Sequence, residues 1–125
     1  QGIETQAAML AVDRISEEQL CRLERLVQEL SGDQPEERNV ALDKQLHYLI
    51  AQASENQLIV EILQALSSVI DSFISDLRRE ILAREGCREL LMEAHAGMVR
   101  GLRCRDRTLL EASLREHFRL IEENL

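Results

Sequence analysis

Aromatic residues, proline and glycine are scarce in this chain of 125 residues: one tyrosine (Tyr48), two phenylalanines (Phe73 and Phe118), no tryptophan, one proline and five glycines. Strands favour aromatic and β-branched residues and tight turns favour glycine, so the shortage argues against a β architecture. Positive charge is also lacking. The net charge of −8 excludes this stretch as a module that grips a phosphate backbone, and any contact with DNA is expected from another segment. The three cysteines, Cys21, Cys87 and Cys104, show no paired C-x-x-C spacing, which points away from a disulfide framework or a thiolate zinc site and towards a reducing cytoplasm. No apolar run approaches the roughly 20 residues of a membrane span, and no signal-peptide pattern opens the chain. A soluble protein without a membrane partner is the expectation.

What is present is a helix-forming mixture, with 45% hydrophobic and 30% charged residues. The pattern predicts a first helix from about Ile3 to Asp13. Ser16, followed by Glu17 and Glu18, marks the N-terminus of a second, which carries Leu20, Leu23, Val27 and Leu30 and stops at Ser31-Gly32-Asp33. Pro35 and two glutamates suit the first turn of a third. Ser54-Glu55-Asn56 breaks that helix. A long apolar pattern through Ile59, Ile62, Leu66, Ile70, Phe73, Leu77 and Ile81 then predicts one long or kinked central helix, ended by Gly86. Helices from about Arg88 to Leu102 and Thr108 to Glu123 follow, joined by a turn containing Arg103, Arg105, Asp106 and Arg107. The short connections imply an all-α antiparallel bundle of roughly six or seven helices.

The stretch "ALDKQLHYLIAQASEN", residues 41 to 56, carries the functional signal. Leu42, Leu46, Leu49, Ile50 and Ala53 recur at helical spacing, yet Asp43 and His47 sit one turn apart beside that stripe. The remaining two of the chain's three histidines also fall on core-facing stripes: His95 with Leu91, Met98 and Leu102, and His117 with Leu110, Leu114 and Ile121. One core histidine is readily satisfied by a local hydrogen bond. Three of them with an inward aspartate suggest a shared divalent cation, because a buried charge or lone imidazole is costly without a partner. An i, i+4 pair projects two side chains from one helix face about 6 Å apart, and one histidine from each of two other helices completes the set. Asp43, His47, His95 and His117 are therefore the candidate metal ligands, around a central metal or ligand cavity. Imidazoles with one hard carboxylate suit Zn²⁺ or Ni²⁺, with Mn²⁺ or Fe²⁺ as alternatives, and an octahedral ion would keep two positions for water or a carboxylate.

The order Asp43-x-x-x-His47, His95, His117 resembles the metal-binding ligand domain, FCD, of FadR-type regulators in the GntR superfamily of bacterial transcription factors. "IETQAAMLA" at residues 3 to 11, "DKQLHYLIAQASEN" and "EASLREHF" are similar to motifs of that family, and the resemblance spans essentially the whole chain. It implies a metal bound by those four residues, a small carboxylate effector on the open positions, a homodimer, and DNA binding through an N-terminal winged-helix domain that this chain lacks. The chain starts inside the first helix of such a domain, so a fragment of a longer regulator is expected. Two departures concern the effector. The arginine that relatives carry ahead of the Gln1 position falls outside the chain, and "AHAGMVRGL" places Ala94 and Gly101 where relatives have an acidic residue and alanine.

Two other classes compete with this reading. A metal-dependent helical-bundle enzyme, hydrolase-like, would need a general base at the metal, and Glu93 and Glu116 should be rotated away from the inward histidines. A metal-free interaction module is the third. Arg78 and Arg79 could pair with an effector carboxylate or form surface ion pairs with Asp76 or Glu80. Gly97 and Gly101 should allow close helix approach, and the arginines from Arg100 to Arg107 read as a solvated turn.

Overall fold

The computed structural model describes residues 2–124, and among them it contains seven α-helices and no strand: α1 (Gly2–Arg14), α2 (Glu17–Leu30), α3 (Glu36–Ala53), α4 (Gln57–Ala65), α5 (Ser67–Leu82), α6 (Cys87–Arg103) and α7 (Arg107–Glu122). Side-chain caps start three of them, α2, α4 and α7. The Ser16 hydroxyl accepts from the Gln19 N–H and the Gln19 side chain accepts from the Ser16 N–H, a capping box that satisfies two otherwise unpaired donors. The Asn56 and Asp106 side chains accept from the Ile59 and Leu109 N–H groups at the starts of α4 and α7. Pro35 occupies the cap of α3, one position before its expected place in the first turn. Gly86, expected to end the central helix, lies instead directly before α6. There a φ of +81° favours a residue without Cβ.

The main hydrophobic core is built by α1, α2, α3, α6 and α7, through residues such as Val12, Leu23, Leu42, Leu46, Leu102 and Leu110. Helices α4 and α5 contribute nothing to it. Ile59 and Leu63 pack in a small separate cluster with Ala7 and Ala51, and Ile81 packs with Cys87, Leu91 and Leu120 in another.

The expected central helix over Ile59 to Ile81 is two helices, bent by 73° at Leu66. Leu66 leaves helical geometry at φ −98° and ψ 11°, and the Tyr48 hydroxyl of α3 donates to the Leu63 carbonyl at 2.9 Å, supplying a partner for a carbonyl beside the break. Neither proline nor glycine marks the site, so the sequence pattern runs through it. No single helix among the described residues is long and apolar enough to cross a membrane.

The turn between α6 and α7 is exposed at Arg105 and Arg107, as expected, and it also makes contacts that the sequence does not show. Its arginines tie helices together: Arg103 bonds Glu17 and Glu24 of α2, Arg105 donates to the Val12 and Ile15 carbonyls, and Arg107 pairs with Asp13. Together with Arg14, which donates to the Ser54 carbonyl, they pin the C-terminal end of α1 to the bundle. All three cysteines are free thiols.

Candidate metal centre

Helix α3 supplies the first two groups of the site. Asn39, Asp43 and His47 form a row at i, i+4 spacing beside the Leu42–Leu46–Leu49 face, so a rotation that buries the leucines carries this polar row along the edge of the core. Asp43 is 4% exposed. Helices α6 and α7 bring His95 and His117, buried at 2% and 4%, on the same stripes as Leu91, Met98 and Leu114. The two helices approach closely because Gly97 faces Ser113 and Gly101 faces the backbone of Leu110, with no room for a side chain at either glycine.

The four sequence-predicted residues meet in space. The ring centroids of His47, His95 and His117 are separated by 5.6, 5.0 and 5.1 Å, and each imidazole offers a nitrogen within 4.8 Å of the others. Asp43 Oδ1 lies 3.0 Å from His47 Nε2 and 3.5 Å from His95 Nε2. Two of the buried nitrogens, His95 Nε2 and His117 Nδ1, have no hydrogen-bond partner in the protein, although a lone buried polar atom is costly. Donor chemistry and geometry both fit a divalent cation. The His95 and His117 nitrogens converge without a partner, beside a His47–Asp43 pair whose proton a cation would replace.

The electrostatics separate the three rings. Burial drives His95 down to about 4 and outweighs the pull of Asp43, with the charges of His47 and Arg78 adding to the depression. Burial likewise holds His117 well below the ordinary histidine value, helped by its two imidazole neighbours. For His47, burial acts downwards too, but Glu4 and Asp43 overcome it and raise the group to about 9. Asp43 sits well below the usual carboxylate range despite its burial, because His95, His47 and Arg78 favour its charged form. At neutral pH two neutral imidazoles, the ligand form, thus stand beside one imidazolium locked to a carboxylate.

Two functional neighbours were not identified as such from the sequence. Glu4 of α1 places Oε1 3.6 Å from His47 Nδ1, the ring nitrogen away from Asp43, where a carboxylate can orient a metal-bound imidazole. It lay within the "IETQAAMLA" motif, but nothing in that pattern says which helix it faces. Arg78, weighed as an effector partner or as a surface pair with Asp76 or Glu80, is buried and makes no such surface pair. Its Nη1 donates to Asp43 Oδ2 at 2.8 Å, while Nε and Nη2 hold Glu36 at 2.6 and 3.3 Å. Arg79 makes the expected surface pair with Asp76, at 3.4 Å. Glu93 is exposed and Glu116 pairs with Arg119, so neither turns to the histidines.

Breaking a buried ion pair leaves an uncompensated charge, so Arg78→Ala is expected to cost about 3–5 kcal/mol in urea denaturation of the metal-free protein. The double variant Arg78→Met/Asp43→Leu should recover most of that loss. A change below about 1 kcal/mol for the single variant would show that Asp43 does not depend on the guanidinium.

The cluster opens on a cleft of about 420 Å³ between α5 and the body of the bundle. Asp43, His47, His117 and Arg78 line its polar end. Ile70, Phe73, Ile74 and Leu77 of α5 form one wall, and Leu91, Phe118 and Ile121 the other. That volume lies within the roughly 300–1,000 Å³ of small-molecule sites.

The helical bundle carries a polar cluster at the end of an apolar cleft, and the sequence matches the FCD domain family over residues 1–120. The chain belongs to that family: it is the effector-sensing domain of a GntR-type transcription regulator. FCD domains are regulatory effector-binding modules and not enzymes, and they work with a DNA-binding partner domain. Comparison with curated proteins gives no match.

Proposed function

We infer that this domain senses a small organic carboxylate through a divalent metal, Zn²⁺ or Ni²⁺ by donor type, held by Asp43, His47, His95 and His117. It would belong to the FadR-type branch, act as a homodimer and modulate DNA binding by a winged-helix domain of the same protein. The observation that carries this reading is the pair of unpartnered buried nitrogens, His95 Nε2 and His117 Nδ1, converging beside Asp43 Oδ1.

The metal would supply a positive charge and open positions for an anion at the polar end of the cleft. The chain's own residues do the rest. Arg78 takes Asp43 Oδ2 and leaves Oδ1 facing His47 and His95. Glu4 holds His47 from behind and brings the N-terminal half of α1 into the same network. The walls exclude water and strengthen the interaction with the anion. Occupancy would thus bias how α1, α3 and the α6–α7 pair sit together, a differential contact of the kind a two-state regulator needs.

Metal content by inductively coupled plasma mass spectrometry, on protein purified without a metal-affinity tag, tests the reading. About one transition-metal ion per chain is expected, lost in His95→Ala and His117→Ala. A chain without metal that also fails to take up Zn²⁺ or Ni²⁺ would sink it. Proton release gives a second check. His47 is protonated below about 9, whereas His95 is neutral above about 4, so coordination should expel about one proton. The proton competes for the same nitrogen, so affinity falls as pH falls, by about tenfold per unit between about pH 8 and pH 6. Titration calorimetry in buffers of different ionisation enthalpy would measure it.

A further inference from the structure

We propose that the effector is a monocarboxylate with an extended apolar body, and that the cleft discriminates against dicarboxylates. This deepens the reading above and rests on it for the anion-binding end.

The cleft has one polar end and no second one. Beyond the Asp43–His47–His117 end its lining is aliphatic and aromatic apart from Glu122, with Phe73, Leu77 and Phe118 facing the same space. The remaining charges repel a second carboxylate: Glu4 and Glu122 both line the cleft. Among the described residues its one arginine or lysine is Arg78, and that guanidinium already donates to Asp43 and Glu36. An anionic group placed away from the histidines would therefore meet apolar wall or glutamate, and its desolvation would go uncompensated.

The wall itself lacks a partner. Helix α5 takes no part in the main core, and Phe73 is 48% exposed although it lines the cleft. An alkyl or aryl body between α5 and the Phe118 side would cover this surface, at about a fourfold gain in affinity per buried methylene. The same arrangement makes binding depend on the cation. Asp43, Glu4 and Glu122 outnumber Arg78 and the His47 imidazolium, so the cleft without a metal disfavours carboxylates.

Octanoate and suberate, equal in length and different by one carboxylate, are the probes, measured by titration calorimetry on full-chain protein with its zinc content determined in the same sample. Zinc-loaded protein is expected to bind octanoate at least about tenfold more tightly than suberate, with affinity rising from butyrate through hexanoate to octanoate. Phe73→Ser, at a half-exposed position, should flatten that chain-length series and leave zinc content unchanged. Suberate binding as well as octanoate, or no octanoate binding at millimolar concentration to either loaded or metal-free protein, would overturn the proposal. A chain that takes up no zinc yet prefers octanoate would remove the metal reading and leave the ligand class standing.

Discussion

Saturating Zn²⁺ is expected to raise the thermal midpoint of the metal-free domain by about 10–20 °C. A ligand that binds only the folded state at about a thousandfold above its dissociation constant contributes roughly 4 kcal/mol, and a domain of this size shifts by several degrees per kcal/mol. The gain should be large here for a specific reason. The metal-free fold leaves His95 Nε2 and His117 Nδ1 buried without partners, so coordination removes an existing cost as well as adding bonds. His117→Ala should abolish most of the shift. It should also change the metal-free midpoint little, because an unpaired polar atom leaves together with the packing of the ring. Differential scanning calorimetry of the two proteins, with and without Zn²⁺, separates these effects. An unchanged shift in the variant would take His117 out of the ligand set.

The second large effect belongs to Gly101. Replacing a mid-helix glycine usually stabilises a helix by about 0.5–1 kcal/mol. At Gly101 a Cβ would stand 2.8 to 2.9 Å from the N, Cα and Cβ of Leu110, mostly backbone that cannot swing aside. Overpacking of this kind costs typically 1–3 kcal/mol and sometimes more, and Gly101→Val adds two further methyl groups. A net loss of about 3 kcal/mol or more is expected in urea denaturation, with weaker zinc binding because α6 and α7 carry His95 and His117. Gly97→Ala should be milder. Its nearest neighbour is the Ser113 hydroxyl, a group that can rotate, although Ser113 Cβ at 3.1 Å still has to yield slightly. Equal losses at the two glycines would mean that the Leu110 backbone gives way more easily than its place at the crossing suggests.

Much of this was legible in the sequence because helical period is a local property. The stripes through Leu42, Leu91 and Leu110 place Asp43, His47, His95 and His117 inward without any knowledge of how the helices meet, and Ser16 and the Ser54-Glu55-Asn56 break mark starts that the fold uses. The features that escaped are those decided between elements. The break at Leu66 lies in an unbroken apolar pattern and is matched by a hydroxyl from another helix, Tyr48. Glu4 and Arg78 reach the site across helix boundaries, and only the packed fold says that one faces His47 and the other Asp43. The arginines after Arg100 are solvated as the sequence suggests, but their partners, Glu17, Glu24 and the carbonyls at the end of α1, lie far away in sequence and were not visible there.

The separation of α4 and α5 from the main core bears on how the cleft is entered. Their attachments are small apolar clusters, the Tyr48 hydroxyl, the Lys44–Asp71 pair and the grip of Arg78 on Glu36 and Asp43. Segments held by so few buried contacts open locally at far lower free energy than the whole domain unfolds. Local opening is therefore expected in α4 and α5 before it reaches α1, α2, α3, α6 and α7, and faster amide hydrogen exchange in residues 57–82 would show it. The charged attachments of α5 run through Arg78 and Asp71, so the firmness of the cleft's outer wall rests on ion pairs as much as on apolar packing.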